Sequence, residues 1–424
     1  MLTERLEFVP ERDAEIFAAV PAAAGVFLLR GEDVGPGLPP TEPYITKTAN
    51  LRRRLQRLLS APEERSRRLN LRDRVRWIEY SQTGSDFESG FLLYQLLREY
   101  FPKTYLDRLR FRMAPLVKFH LENEYPRASV TTRLGRMGDG ASNAGALYYG
   151  PFPGRATAEK FLNDSLDFFK LRRCVEDLHP DPAFPGCIYS EMKMCLAPCF
   201  KGCADEEYLG EVAKVQGYLD SRGHSLVREI SSAREEAAQN LAFEEAAGIH
   251  AKLEKLKPVV GQLPAIVGRI DRLFALIVEP AAALSAAPSK ATSLKAGAST
   301  PTEADSVALF LVQGGVIRGP QNFLIQPPEH TKSQSMEARV EACVALAPPL
   351  ESASANETME HLAILKRWYY RSNRVGEIFL ADEKGQLPMR RVVRGIGRVW
   401  RGEKLEGDAV LDVRAADSST SPPE

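Results

Sequence analysis

The stretch LRRCVEDLHPDPAFPGCIYSEMKMCLAPC, residues 171–199, holds four of the six cysteines in this 424-residue chain. They follow the spacing Cys174-x12-Cys187-x7-Cys195-x3-Cys199. Thiolates grouped in this way select soft cations, so the stretch predicts a zinc ion or an iron–sulfur cluster and leaves the choice between them open. Disulfides are the alternative. No secretory signal is visible at the N-terminus, however, and a cytosolic protein keeps its thiols reduced.

The composition is ordinary for a globular protein, with 26% charged and 44% hydrophobic residues and a formal net charge of zero. The charge is unevenly distributed, because ten arginines and only three acids lie between Arg52 and Arg76. This excess predicts sequence-independent binding of the DNA backbone through Arg52, Arg53, Arg54 and Arg57. No apolar run approaches the roughly 20 residues that a membrane span requires. We therefore expect a cytoplasmic protein with no membrane partner.

Three motifs accompany the cysteines: YYGPFP at Tyr148–Pro153 lies before them, and LRRC and CLAPC include three of them. Together these motifs resemble the cysteine-rich segment of the UvrC family, the incision subunit of bacterial nucleotide excision repair. The resemblance implies a [4Fe-4S] cluster as cofactor, with zinc as the alternative, and four thiolates are the usual cluster ligands. The implied ligands are Cys174, Cys187, Cys195 and Cys199.

The N-terminal region contains GVF at Gly25–Phe27 and PYITKTANLRRRL at Pro43–Leu55. These patterns resemble the two halves of the GIY-YIG nuclease domain that opens UvrC proteins. The matching positions are Tyr44, Lys47, Asn50 and Arg54. The resemblance implies that a tyrosine or its bound water attacks phosphorus, a metal on a glutamate stabilises the leaving oxygen, and an arginine binds the phosphate. We expect a strand that ends near Ile45 and a helix capped by Thr48 or Asn50.

Four positions of this pattern carry residues that lack the required chemistry: Phe27, Thr46, Leu58 and Leu93. They stand where the family has a tyrosine, a glycine, a second tyrosine and the metal-binding glutamate. Glu88 lies five residues before Leu93, about 140° around a helix, and is a poor substitute. Little in the sequence therefore supports a divalent metal here. We predict a retained fold that does not cut, with a working nuclease using shifted ligands as the alternative.

The segment at 232–258, SAREEAAQNLAFEEAAGIHAKLEKLKP, has a helical pattern that predicts two helices broken near Ala242 and packed as a hairpin. The apolar positions near one face are Leu241, Ile249, Leu253 and Leu256. Within it, NLAFEEAAGIHAKLEKL resembles the UVR motif, through which UvrC proteins bind the helicase subunit UvrB. The matching positions are Phe243, Glu244, Ala246 and Ala247. An internal helix pair is the simpler alternative.

These patterns predict a multidomain α/β (α+β) protein. Its parts are a small GIY-YIG-like mixed αβ domain at 20–110, a middle region with the cysteine cluster at 111–204, a helical segment with the UVR-like motif at 205–260, a disordered linker at 280–305 and a C-terminal αβ connector at 306–400. The last part resembles the connector of UvrC proteins, and the RNase H-like and helix-hairpin-helix domains of the family have no counterpart in this sequence. Within it we expect a β-hairpin that turns at Gly314-Gly315, a helix near Glu357–Tyr370 and the strand GEIFLAD.

The resulting prediction is a UvrC-like protein of nucleotide excision repair that binds DNA and a UvrB-like helicase subunit, with an inactive GIY-YIG site. The alternative is an active single-incision excinuclease, which leaves open whether the chain is an enzyme. A structural zinc protein unrelated to repair is the second alternative.

Overall fold

The structure, a computed structural model, describes residues 2–32, 42–62, 68–135, 137, 145–282, 306–326, 334–346 and 353–403. Most of the predicted linker at 280–305 and the tail at 415–424 lie outside these ranges. Within them the chain is a mixed α+β structure with three four-stranded antiparallel sheets. No helix in these ranges is both long and apolar enough to cross a membrane.

The N-terminal sheet has the strand order β1-β4-β2-β3. Its strands are β1 (Glu4–Glu7), β2 (Gly25–Arg30), β3 (Tyr44–Thr48) and β4 (Trp77–Gln82). Helices α1 (Asp13–Ala19) and α2 (Leu51–Leu59) bury their apolar side chains in a small core that includes Phe27 and Leu58. Strand β3 runs to Thr48, beyond the predicted end near Ile45, because β2 pairs with it along its whole length.

Asn50 caps α2, as one of the two predicted capping residues. Its side-chain oxygen accepts a hydrogen bond from the backbone N–H of Arg53 at 2.9 Å, which satisfies one of the free donors at a helix start. The cap fixes where α2 begins, and so fixes the position of its arginines relative to β3.

Helix α3 (Asp86–Tyr100) contacts β2 and β3, but its large side chains belong to another core. Phe87 lies 4.9 Å from Phe310 and 5.2 Å from Trp368 between ring centroids, and all three belong to the large central core of the molecule. The Tyr94 hydroxyl donates to buried Glu360 at 2.7 Å. The helix that carries position 93 is therefore packed into the C-terminal part of the chain.

The middle sheet has the order β6-β5-β7-β8 and lies on the same central core. Its strands are β5 (Leu116–Phe119), β6 (Ala128–Thr131), β7 (Leu147–Gly150) and β8 (Gly268–Arg269). Short helix α4 (Tyr105–Leu109) precedes the sheet, and α5 (Arg155–Leu166) follows β7. The cysteines lie between α5 and α7 (Asp205–Asp220), on a long connection that contains only the four-residue α6 (Ile188–Glu191) and one 3-10 turn.

Helices α8 (His224–Gln239) and α9 (Phe243–Gly261) form the predicted hairpin, and the break falls at Ala242 as expected. Leu253 and Leu256 are buried, and Ile249 packs partly against the core. Leu241 was predicted on the same face but is 72% exposed, because it lies in the turn with a left-handed φ of 58°.

The C-terminal sheet has the order β11-β10-β9-β12. Its strands are β9 (Phe274–Pro280), β10 (Ser306–Gln313), β11 (Val316–Leu324) and β12 (Glu377–Leu380). The hairpin turns at Gly314-Gly315 as predicted, and both glycines have positive φ. Strand β9 precedes the predicted linker and yet pairs with β10 after it. The unit predicted at 306–400 therefore extends back to Phe274.

Three helices cover the two faces of this sheet. Helices α10 (Met336–Ala345) and α12 (Met389–Trp400) pack on one face through Val340, Val392 and Ile396. Helix α11 (Ala355–Tyr369) contributes Leu362, Leu365 and Trp368 to the central core on the other face. It packs directly against α3 and so joins the C-terminal sheet to the N-terminal part.

Candidate functional site

Tyr44 and Arg54, two positions matched to the nuclease pattern, lie in contact. The Arg54 guanidinium donates from Nη2 to the Tyr44 hydroxyl oxygen at 3.1 Å. The Tyr44 ring lies 6.2 Å from the Phe27 ring, between centroids. Strand β3 and helix α2 therefore bring a hydroxyl and a guanidinium together, as the matched spacing predicts.

Two of the substituted positions lie inside the small N-terminal core. Phe27 is 0% exposed and Leu58 is 2% exposed. Phe27 faces Thr46 across the β2–β3 ladder, so the third substitution lies beside it. Since solvent does not reach Phe27 or Leu58, a DNA phosphate cannot contact either side chain in this structure. Both positions act here as packing residues.

Leu93 and Lys47 line a depression between α3 and α11. The depression also contains Leu109, Ile364 and Trp368. Leucine at position 93 suits these apolar neighbours, but the basic side chains of Lys47, Arg367 and Arg371 also line the depression and would favour an ionised carboxylate there. The packing of α11 on α3 accommodates leucine at position 93 and does not by itself exclude a carboxylate there.

Asp86, which is not among the predicted site residues, is a carboxylate at this depression. Lys47 Nζ contacts its Oδ1 at 2.5 Å, and Arg371 Nη1 contacts its Oδ2 at 2.5 Å. Partial burial opposes ionisation of Asp86, but the hydrogen bonds and charges of Lys47 and Arg371 outweigh it and lower its pKa. Asp86 lies seven residues before Leu93, two helical turns along the same face of α3. This spacing in the sequence could have predicted that Asp86 lies near position 93.

Glu88 points away from this depression, consistent with its predicted angular offset. Its Oε2 accepts a hydrogen bond from the Gly84 backbone N–H at 2.7 Å. Burial raises the pKa of Glu88 to about 7, although that hydrogen bond acts in the opposite direction. Glu88 therefore closes the loop before α3 and faces the C-terminal sheet.

Glu279 of β9 is the second buried carboxyl at this junction. Its side chain is 0% exposed, and neither oxygen accepts a well-formed hydrogen bond, although Ser85 and Trp368 are polar neighbours. Burial raises the pKa of Glu279 to about 8, and the nearby charge of Glu88 adds to the shift. The loop before α3 and the end of β9 are in close contact, since a side chain at Gly84 would collide with the Pro280 carbonyl.

We expect the free energy of unfolding to fall as pH rises from 4.5, the ordinary pKa of glutamate, to about 8, the pKa of folded Glu279. In that window the folded state holds a proton that the unfolded state releases, with a slope of up to about 1.4 kcal/mol per pH unit. Glu279→Gln should remove this component, so its stability advantage over wild type should be larger at pH 8 than at pH 5.5. Denaturant unfolding at both pH values measures it, with exposed Glu383→Gln as the matched control. An equal difference at both pH values would contradict the protonated state of Glu279.

Of the four arginines predicted to bind DNA, some bind other groups within the chain and some are exposed to solvent. Arg52 was predicted to bind DNA, but its Nε donates to the Val20 carbonyl at 2.7 Å and its Nη2 to the Ala18 carbonyl at 3.1 Å. It therefore caps the end of α1. Arg53 and Arg57 are exposed on α2 and have no ion-pair partner in the described ranges. These two, with Tyr44-bound Arg54, are the arginines that remain available to a phosphate.

The four cysteines of the 171–199 stretch are half-buried on the connection between α5 and α7. Burial raises the pKa of the Cys195 thiol to about 11, and the neighbouring Cys174, Cys199 and Cys187 thiols raise it further. The four sulfurs therefore lie within electrostatic range of one another. The Ala197 backbone N–H donates to Cys195 Sγ at 3.3 Å, which is a suitable contact for a thiolate ligand.

Arg172 supports the first of these cysteines. It is 2% exposed, and its Nη1 lies 3.4 Å from Cys174 Sγ. Its Nε donates to the Tyr125 carbonyl at 2.8 Å, which ties the cysteine connection to the middle sheet. Arg172 belongs to the LRRC motif, but the motif alone does not predict a buried cation beside a thiol.

The donor set suits a thiolate-bound metal ion or cluster, because four sulfurs and two N–H donors share one connection. In the described part of the chain, no three His, Cys, Asp or Glu side chains converge closely enough to be a metal site. The predicted [4Fe-4S] cluster, with zinc as its alternative, stays a prediction.

The tip of the α8–α9 hairpin presents two large apolar side chains to solvent. Phe243 is 67% exposed at the first position of α9, beside the exposed turn residue Leu241. Of the other matched positions, Glu244 and Ala247 are exposed and Ala246 is half-buried. The tip is therefore open to a partner, whereas the lower half of the hairpin is packed.

Comparison with known proteins gives one family-model match, in the middle of the chain, and matches to curated relatives. Residues 116–217 match the family model described as the UvrC/Cho excinuclease middle domain. The chain is 28% identical over 216 residues to the UvrABC system protein C of Rickettsia africae (strain ESF-5), a match covering 51% of this chain and 32% of that protein. The protein of the same name from Rickettsia akari (strain Hartford) is 28% identical over 235 residues, 55% of this chain and 34% of that one.

These matches support the UvrC family. The matched UvrC middle domain begins with β5 and ends within α7, so it includes the cysteine connection and all four predicted ligands. The chain spans about a third of the length of the curated UvrC relatives that it matches. No solved structure matches the chain.

Proposed function

We propose that this chain is a DNA-binding adaptor of nucleotide excision repair, with an N-terminal nuclease-like site that does not cut. The middle-domain match supports the repair context. One observation carries the proposed loss of cutting: Phe27 and Leu58 are core residues that solvent does not reach, and Leu93 supplies no oxygen ligand at the depression. A DNA-binding assay with the purified chain tests the first claim, and a nicking assay tests the second.

The proposed DNA contact uses the phosphate backbone. Arg53 and Arg57 are exposed on α2 without an ion-pair partner among the described residues, and guanidinium groups bind phosphate oxygens through two parallel hydrogen bonds. Arg54 already donates to a hydroxyl and can bind an additional oxygen. Such contacts do not depend on base sequence, so the affinity should fall steeply as salt increases.

The proposed cofactor is a [4Fe-4S] cluster held by Cys174, Cys187, Cys195 and Cys199. The cysteine connection has little regular secondary structure and few buried apolar side chains of its own. A bound cluster would link it to the middle sheet through Arg172 and Cys174, and would thereby contribute to folding of this domain. Zinc in a four-thiolate site would serve the same structural role.

The proposed protein partner is a UvrB-like helicase subunit, bound by the tip of the α8–α9 hairpin. Phe243→Ala should weaken this binding by about 30-fold or more, since a buried aromatic anchor commonly contributes 2 kcal/mol or more. The substitution should leave the fold intact, because Phe243 is 67% exposed in the free chain. Titration of labelled partner by calorimetry or anisotropy measures the effect.

Leu346→Ala is the matched control for the partner contact. Leu346 is 78% exposed at the end of α10, outside the hairpin, so its truncation removes a similar exposed apolar group. Equal affinities of wild type, Phe243→Ala and Leu346→Ala for the helicase subunit would contradict partner binding by the hairpin tip. They would favour the alternative of an internal helix pair.

An active single-incision enzyme is the second candidate function, and one observation favours it. The Tyr44–Arg54 pair is intact, and Asp86 supplies a carboxylate at the depression that also contains Leu93. Against it, Lys47 and Arg371 already neutralise Asp86. A divalent cation would have to displace both.

A further inference from the structure

Helix α12 is strongly basic along one face. The helix and the residue after it contain five arginines and no acid. With 3.6 residues per turn, all five fall within an arc of about 100°. They are Arg390, Arg391, Arg394, Arg398 and Arg401.

The opposite face of α12 is fixed to the C-terminal sheet. Val392 and Ile396 are 0% exposed, and Val399 is 7% exposed. The backbone of α12 itself packs against the sheet, since a side chain at Gly395 would collide with the Phe379 ring. The basic face of α12 therefore points outward in one fixed orientation.

Two of the five arginines are neutralised within the chain. Arg398 forms a two-pronged ion pair with Glu377, at 2.7 and 2.6 Å, and Arg401 contacts Glu403 at 2.5 Å. The other three, Arg390, Arg391 and Arg394, are exposed and have no ion-pair partner in the described ranges. Three exposed positive charges within two helical turns attract a polyanion.

We infer that Arg390, Arg391 and Arg394 form a second surface for the phosphate backbone of duplex DNA, separate from the arginines of α2. The inference rests on the proposed DNA-binding function and adds a surface on the C-terminal sheet. Charge complementarity selects the occupant, because duplex DNA carries one negative charge per roughly 1.7 Å of axis. Arginine is also the side chain best shaped to bind two phosphate oxygens.

The packing of α12 excludes the other common use of a basic amphipathic helix. Helices that lie on membranes, or that fill a partner's groove, insert their apolar face into that partner. In α12 this face is already buried against Phe379 and the rest of the sheet. Only the charged face is available, which favours a surface contact with a polyanion.

The test is DNA binding by the full chain with Arg390→Ala, Arg391→Ala and Arg394→Ala combined. We expect about ten-fold weaker binding of a short duplex near 0.1 M salt, measured by fluorescence anisotropy. The slope of log affinity against log salt should decrease by up to about 2.7, or about 0.9 for each lost phosphate contact. The triple lysine variant at the same positions keeps the charge and should keep most of the slope.

The net-charge control is Lys252→Ala, Lys255→Ala and Lys257→Ala on α9, which removes an equal number of positive charges elsewhere, one of them paired with Glu254. Arg53→Ala with Arg57→Ala reports on the α2 surface. Weaker binding by the α2 variant, together with wild-type affinity and slope in the α12 variant, would overturn the second surface and leave DNA binding by α2 intact. Equal weakening by the α9 control would show a net-charge effect and would also overturn it. Failure of wild type to bind any duplex would overturn the proposed function itself.

Discussion

Cys187→Ser protein should lose all or nearly all of its bound iron. Wild type purified without oxygen should be brown and contain about four irons per chain, because four thiolates are the usual ligands of a [4Fe-4S] cluster. Serine cannot supply a soft thiolate, and the remaining three cysteines leave one iron without a protein sulfur. Iron and sulfide analysis, with the visible absorption spectrum, measures the loss. The middle domain should also unfold at lower denaturant concentration in this variant.

Cys343→Ser is the matched control for the cluster. Cys343 lies on α10, where its thiol donates to Gln321 Oε1 at 3.0 Å, far along the chain from the cysteine connection. This variant should keep its iron. Stoichiometric zinc without iron in the wild type would overturn the cluster and favour the zinc alternative. Full iron content in Cys187→Ser would point to Cys203, whose pKa is raised by burial and by neighbours that include Cys199.

The wild-type chain should produce no detectable nicking of damaged duplex, with or without a helicase partner and Mg²⁺ or Mn²⁺. A phosphodiester cut needs stabilisation of a developing alkoxide, and position 93 offers no oxygen ligand for a metal. Loss of a metal-stabilised transition state removes several kcal/mol, which corresponds to several orders of magnitude in rate. A plasmid relaxation assay with purified protein measures this over hours.

Restoration tests whether the site has decayed. The quadruple variant Phe27→Tyr, Thr46→Gly, Leu58→Tyr and Leu93→Glu returns each missing group, but the tyrosines at 27 and 58 would put hydroxyls into a packed core. Leu93→Glu alone avoids this core and is the better first variant. Metal-dependent nicking by either protein would support a decayed site. Nicking by the wild type that disappears in Arg54→Ala would refute the non-cutting proposal, and its loss in Asp86→Asn as well would identify Asp86 as the replacement carboxylate.

Local features of the fold were well predicted from the sequence. The Gly314-Gly315 turn, the break at Ala242 and the Asn50 cap all depend on residues within a few positions of each other. Such features can be predicted from short stretches of sequence, because turn geometry and helix capping are determined by neighbouring residues. They fix where elements begin and end.

Features decided by distant parts of the chain were missed. Arg52 looked like its neighbours on α2, and only the tertiary packing brings its guanidinium to the α1 carbonyls. Asp86 and Arg371 are 285 positions apart, so no local pattern could pair them. Strand β9 was separated from its partner β10 by the predicted linker, although antiparallel pairing joins them. The side-chain contacts of the candidate site were therefore less predictable than the helices and strands that carry them.

The packing of α3 has a consequence for synthesis of the chain on the ribosome. The partner that buries Tyr94 is Glu360, 266 residues later. At about 5–20 residues per second, that partner emerges roughly 13–53 s after α3 does. During this interval the aromatic face of α3 is exposed and can associate with other nascent chains. The N-terminal sheet has its own small core, but α3 needs chaperones, or delayed folding, until the C-terminal sheet is made.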